Sequence, residues 1–132
     1  MQAPYERNTK YPEQLIHKVC NGEVVRSKSE VLISTQLHAS SIPFRYECAL
    51  RLGETTLFPD FTILHPKTGE LFYWEHFGLM DDIHYTQQAY SKLQLYALHG
   101  IIPTVQLVTN YETKSHPLAM ETIEKLIVDY FL

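Results

Sequence analysis

The chain has 132 residues, enough for one domain that buries a core without disulfide or metal staples. Hydrophobic residues make up 45% and charged residues 20%, which excludes a disordered chain. The net charge is −4, so a strongly basic nucleic-acid footprint is absent from the total. The excess acid is uneven: residues 1–50 hold six basic and five acidic side chains, whereas residues 51–132 hold five basic and ten acidic.

Two cysteines, Cys20 and Cys48, match no zinc spacing and make no disulfide framework. A reducing interior suits them, so a cytoplasmic protein is expected; the N-terminus lacks the apolar stretch of a signal peptide, and with no run long enough to span a bilayer no membrane contact is expected.

Residues 1–22 read as an N-terminal segment, kept partly irregular by Pro4 and Pro12, with a short helix at Gln14–Cys20. Residues 23–132 read as the main domain. Ser27-Lys28-Ser29-Glu30 has the form of a capping box and starts a helix to about Ala39. Phe44 to Leu50 alternates as a strand, and Gly53-Glu54 turns the chain. Thr56–Leu64 reads as a second strand, 65–70 as a hairpin loop, and Leu71–Phe77 as a third, strongly aromatic strand. Phe72, Tyr73, Trp74 and Phe77 alternate and so fill both faces. Asp81 or Asp82 caps a helix from Ile83 to His99, which Gly100 stops. Thr104–Thr109 is a fourth strand. Pro117 opens a last helix with Ile123, Leu126, Ile127 and Tyr130 on one face. Three strands in a meander and a fourth reached through a helix predict a mixed four-stranded α/β sheet flanked by helices.

Pro59-Asp60 interrupts the second strand with two residues that strands disfavour. Glu75 stands fifteen positions later, near the end of the third strand. On hairpin neighbours the two carboxylates lie close, and close carboxylates repel unless one is protonated or a cation lies between them. Mg²⁺ or Mn²⁺ suits such a pair, because hard cations take a few carboxylates plus water and phosphate oxygens. There is no Gly-rich phosphate loop and no Ser or Cys nucleophile placed with a His.

Pro59-Asp60 followed by Glu75-His76-Phe77, on a helix–three strands–helix–strand order, resembles the PD-(D/E)xK nuclease superfamily. The resemblance covers Glu23 to Val108 and implies a restriction-endonuclease-like αβββαβ core, with the C-terminal helix as an addition. It implies metal-dependent hydrolysis of phosphodiester bonds in nucleic acid, DNA first. By resemblance, Asp60, Glu75 and the backbone carbonyl of His76 bind the metal, joined by Glu30 of the first helix and Glu47 of the first strand. The family's lysine position holds Phe77 here. Some members supply that lysine from the following helix, whose single lysine in this chain is Lys92. At about 100° per residue, Lys92 falls about 60° from inward-facing Ala89, on the side that also carries Tyr85, Gln88, Tyr96 and His99. Gln88 is the expected phosphate contact, joined by Arg26 and Lys28, which form a small basic group with Arg45. Such a small core implies a homodimer or a separate DNA-recognition domain or protein. The alternative is the same fold without catalysis, acting as a DNA-binding or protein-interaction module.

Overall fold

The computed structural model describes residues 17–18, 24–25 and 27–132, with side chains described from 27 onward. Two short strands, β1 (His17–Lys18) and β2 (Val24–Val25), pair antiparallel. The expected helix at Gln14–Cys20 lies outside the described residues except for His17–Lys18, which are extended.

Helix α1 (Lys28–Ala39) starts as the capping box dictates. The Glu30 N–H donates to Ser27 Oγ at 3.2 Å, and Ser27 Oγ donates to Glu30 Oε1 at 2.9 Å. Strand β3 (Phe44–Tyr46) then stops early. Glu47 has φ 51°, a left-handed conformation that ends extended pairing. A separate hairpin follows, β4 (Leu50–Leu52) and β5 (Thr55–Leu57), turned by Gly53 at φ 62°. Strand β6 (Phe61–Leu64) begins only after Pro59-Asp60. The two long strands expected at 44–50 and 56–64 are therefore each broken, and at the same level: the Glu47 N–H donates to the Asp60 carbonyl at 3.1 Å. Beyond that bond Pro59 has no N–H to give and Glu47 turns away with positive φ, so the ladder ends there.

Strand β7 (Leu71–Phe77) is antiparallel to β6 with Phe61 opposite Trp74. Helix α2 (Ile83–Leu98) is capped by Asp82, which accepts the Tyr85 N–H at 3.0 Å; Asp81 instead accepts the Lys114 N–H at 2.6 Å. Strand β8 (Leu107–Tyr111) is parallel to β7. It starts three residues later than expected because Ile102–Gln106 forms a turn with Thr104 at φ 69°. Helix α3 (Met120–Phe131) also starts three residues later than Pro117. The Leu118 N–H donates to Glu112 Oε2 at 3.0 Å, which holds this stretch extended against β8 rather than in a helical turn.

The result is a mixed α/β fold whose main sheet has the order β3-β6-β7-β8. Side-chain alternation sorts its two faces. Phe61, Ile63, Phe72, Trp74 and Val108 pack under α1 and α3, against Ile33, Leu37, Ile123, Ile127 and Phe131. Tyr73 and Leu107 face the other way and pack with Leu93 and Tyr96 of α2. Glu75 and Phe77 share the face of Tyr73.

Helix α3 is thus part of the core. Phe131→Ala, at a fully buried position, is expected to cost about 3–5 kcal/mol. Urea unfolding checks this by a lower midpoint with an unchanged slope.

Candidate active site

The breaks in β3 and β6 leave Asp60 beside the end of β7. Asp60 Oδ2 accepts the His76 N–H at 2.7 Å. The N–H and C=O of one strand residue leave on the same side, so the His76 carbonyl also opens toward Asp60. Glu75, one residue earlier, puts its carboxylate on the opposite face from the His76 ring, under α2. It is 1% exposed.

Two groups from α2 reach it. Lys92 Nζ lies 2.6 Å from Glu75 Oε2, and the Tyr96 hydroxyl donates to that same oxygen at 2.5 Å. Lys92 and Tyr96 are four residues apart, neighbours on one helix face. One turn before Lys92, Gln88 and Ala89 complete a pocket of about 190 Å³ lined also by Asp60, Glu75, Phe77 and Tyr85. The Tyr85 hydroxyl accepts the Gly78 N–H at 3.0 Å, which ties the start of α2 to the end of β7.

The electrostatics follow from burial and like charge. Burial, then the nearby carboxylates of Glu75 and Glu30, pushes Asp60 well above the ordinary carboxyl range, and Lys92 and the His76 N–H only partly offset this. Burial pulls Lys92 down, but Glu75 and Asp60 outweigh it and hold the ammonium above its ordinary value. Burial and the Glu75 carboxylate push the Tyr96 hydroxyl far up, so it stays a donor.

Asp60, Glu75 and Lys92 therefore meet in one pocket, with Gln88 exposed at its mouth. Glu30 is buried at the start of α1 and acts on Asp60 through its charge while serving the capping box. Glu47 is buried at the break in β3, where its N–H meets the Asp60 carbonyl. Lys28 is exposed at the first turn of α1, and Arg26 lies outside the described residues. Among the described residues, no group of three or more His, Cys, Asp and Glu is placed to hold one metal ion. Asp60 and Glu75 bring carboxylate oxygens to one pocket, beside the backbone of His76. Their buried negative charge is the kind that a divalent cation relieves. Tyr96 was visible in the sequence only as a residue on the Lys92 side of the helix; its bond to Glu75 depends on how α2 lies across β7.

The other face of β7 carries a second polar chain. The Trp74 indole N–H donates to Asn110 Oδ1 at 2.6 Å, so the Asn110 amide is left to donate to His76 Nδ1, 2.5 Å away. His76 is then protonated on Nε2, which lies 2.9 Å from Glu112 Oε1. Ser29 of α1 donates to the same Glu112 oxygen at 2.7 Å. Burial keeps the His76 ring below its ordinary pKa despite Glu112. Glu112 is held below the carboxyl range, because Ser29, the Leu118 N–H and His76 outweigh its partial burial.

The raised Asp60 pKa gives a sign for stability. The folded chain keeps a proton on Asp60 that the unfolded chain has lost. This favours folding at low pH, and the benefit fades as pH rises through the interval between the two values. Asp60→Asn keeps an acceptor for the His76 N–H and removes the charge. In EDTA its melting temperature is expected to exceed the wild type at pH 7, and the gap to narrow toward about pH 4.

No family model matches this chain, and no curated protein or solved structure is significantly similar to it.

Proposed function

We propose that the chain is a restriction-endonuclease-like domain that hydrolyses phosphodiester bonds in nucleic acid with a divalent metal. The observation that carries this reading is the Lys92 ammonium, brought from α2 to 2.6 Å from Glu75 in the pocket that also holds Asp60. It supplies from the helix the positive charge that Phe77 does not supply from the strand. The order of α1, β3, β6, β7, α2 and β8, with β7 parallel only to β8, agrees with the αβββαβ core.

Asp60, Glu75 and the His76 carbonyl would hold Mg²⁺ or Mn²⁺, which when bound acidifies a water and offsets charge on the phosphoryl oxygens. The protein's own groups do the positioning. Tyr96 and Lys92 both engage Oε2 of Glu75 and leave Oε1 outside that pairing. The His76 N–H aims Asp60. Lys92 provides fixed positive charge where negative charge grows on the phosphate during attack. Gln88 offers an amide at the mouth for a phosphate oxygen.

The test is cleavage of single-stranded and duplex DNA and RNA with Mg²⁺ or Mn²⁺. Asp60→Ala is expected to abolish cleavage, and Lys92→Met to lower kcat on the order of 10²-fold or more. Cleavage by Asp60→Ala at the wild-type rate would sink the assignment.

A further inference from the structure

Phe77 occupies the position where the resemblance places a lysine, and its ring is used differently. It is 4% exposed, lines the Asp60–Glu75–Lys92 pocket, and stacks on Tyr111 with centroids 5.4 Å apart and planes 17° apart. Tyr111 is 50% exposed. In the order β3-β6-β7-β8 its strand is the sheet edge, so among the described residues no strand flanks Tyr111 on the side away from Phe77. A ring held flat on one face and open on the other accepts another flat π system.

The position fits a nucleotide next to the reacting one. Phe77 lies two residues past Glu75 on the same face, roughly 6.5 Å further along β7. Tyr111 is opposite Phe77 in the register, one strand nearer the edge. That separation is on the scale of one nucleotide in an extended strand.

Charge favours a base contact here over a backbone contact. A cleft of about 520 Å³ at the ends of β7 and β8 is lined by Asp81, Asp82 and Glu112, against one cation, Lys114. The cleft adjoins the stack through Gly78 and Glu112, and its excess of acidic groups disfavours a phosphate at that end. A base offers its face to a side chain only when it has left its own stack, which single strands permit and continuous duplex does not.

Resting on the nuclease reading, we propose that Tyr111, backed by Phe77, is a stacking platform for the base beside the scissile phosphate. The substrate class is then single-stranded or unpaired nucleic acid. The replacement of the strand lysine by Phe77 belongs to this platform, with Lys92 carrying the charge.

The experiment uses the full chain carrying Asp60→Asn, so that binding is read without cleavage. Single-stranded oligonucleotides containing 2-aminopurine are titrated as DNA and as RNA, beside a blunt duplex. Binding is expected to quench the 2-aminopurine fluorescence. Tyr111→Ala should weaken single-strand binding about tenfold and remove the quench, while Tyr111→Phe keeps both. Duplex binding should change less than twofold, and the DNA and RNA arms tell which sugar the site accepts. Single-strand binding unchanged by Tyr111→Ala, equal losses for single strand and duplex, or no binding to any oligonucleotide overturns the platform. Cleavage that needs Asp60 but is indifferent to Tyr111 also overturns it and leaves the nuclease reading intact. Tyr111-dependent quenching with no cleavage by the Asp60 chain in any metal supports the platform and removes the nuclease reading.

Discussion

The carboxylate of Glu75 is 1% exposed on a central strand of the sheet, and the rest of the site is arranged around that fact. A buried charge is tolerated only with an opposite charge and hydrogen bonds to the remaining lone pairs. Both come from α2, as Lys92 and Tyr96 on one oxygen. Four residues separate them, so they can meet one atom only if the helix axis passes over that atom at the right rotation. The ion pair thereby fixes the rotation of α2 on the sheet as well as the chemistry of the pocket. It also explains why an exposed-looking lysine in a helix otherwise free of Lys, Arg, Asp and Glu is held among carboxylates.

The strand that carries Glu75 is fastened from its other face. Trp74, Asn110, His76, Glu112 and Ser29 form one chain of hydrogen bonds from the core to the start of α1. Glu112 also holds the Leu118 N–H ahead of α3. The end of β7 is therefore gripped by α1 and the approach to α3 on one face and by α2 on the other. This matters for Asp60, whose carboxylate is aimed by the backbone of His76, the residue gripped hardest. Two faces of one strand do separate work: odd positions 75 and 77 face the pocket, and even positions 74 and 76 hold the strand still.

The paired breaks at Glu47 and Asp60 give the pocket its opening. Had β3 and β6 run on at full length, the β4–β5 hairpin would extend the main sheet over the end of β7. Instead Pro59 ends the ladder, Glu47 turns with positive φ, and the chain leaves the sheet as a separate hairpin. Asp60 is left at the edge of the break with a side chain free to reach the next strand. The residues that look wrong for a strand are thus the ones that end it where the site begins.

Much of this was written locally. The capping box at Ser27–Glu30, the alternation of Leu71–Phe77, the Asp cap and Gly100 stop of α2, and the amphipathic last helix all act over one or two turns, and each is legible because its cause is short-range. The oddity of Pro59-Asp60 within an apolar run was legible for the same reason, and so was a Lys92 on the flank of the inward face. What depended on contacts distant in sequence was not. The split of two strands into four needs Glu47 to turn at the level of Pro59-Asp60 and the β4–β5 hairpin to pair with itself. The late start of α3 needs Glu112 to capture Leu118. The bond of Tyr96 to Glu75 needs the rotation of α2, and the Phe77–Tyr111 stack needs the parallel register of β7 and β8. The sequence by itself determined the three helices from Lys28 onward to within a turn and which carboxylates are out of place. Only the tertiary structure decided which of them meet, because a register between strands and a helix rotation are set by side chains far apart in the chain.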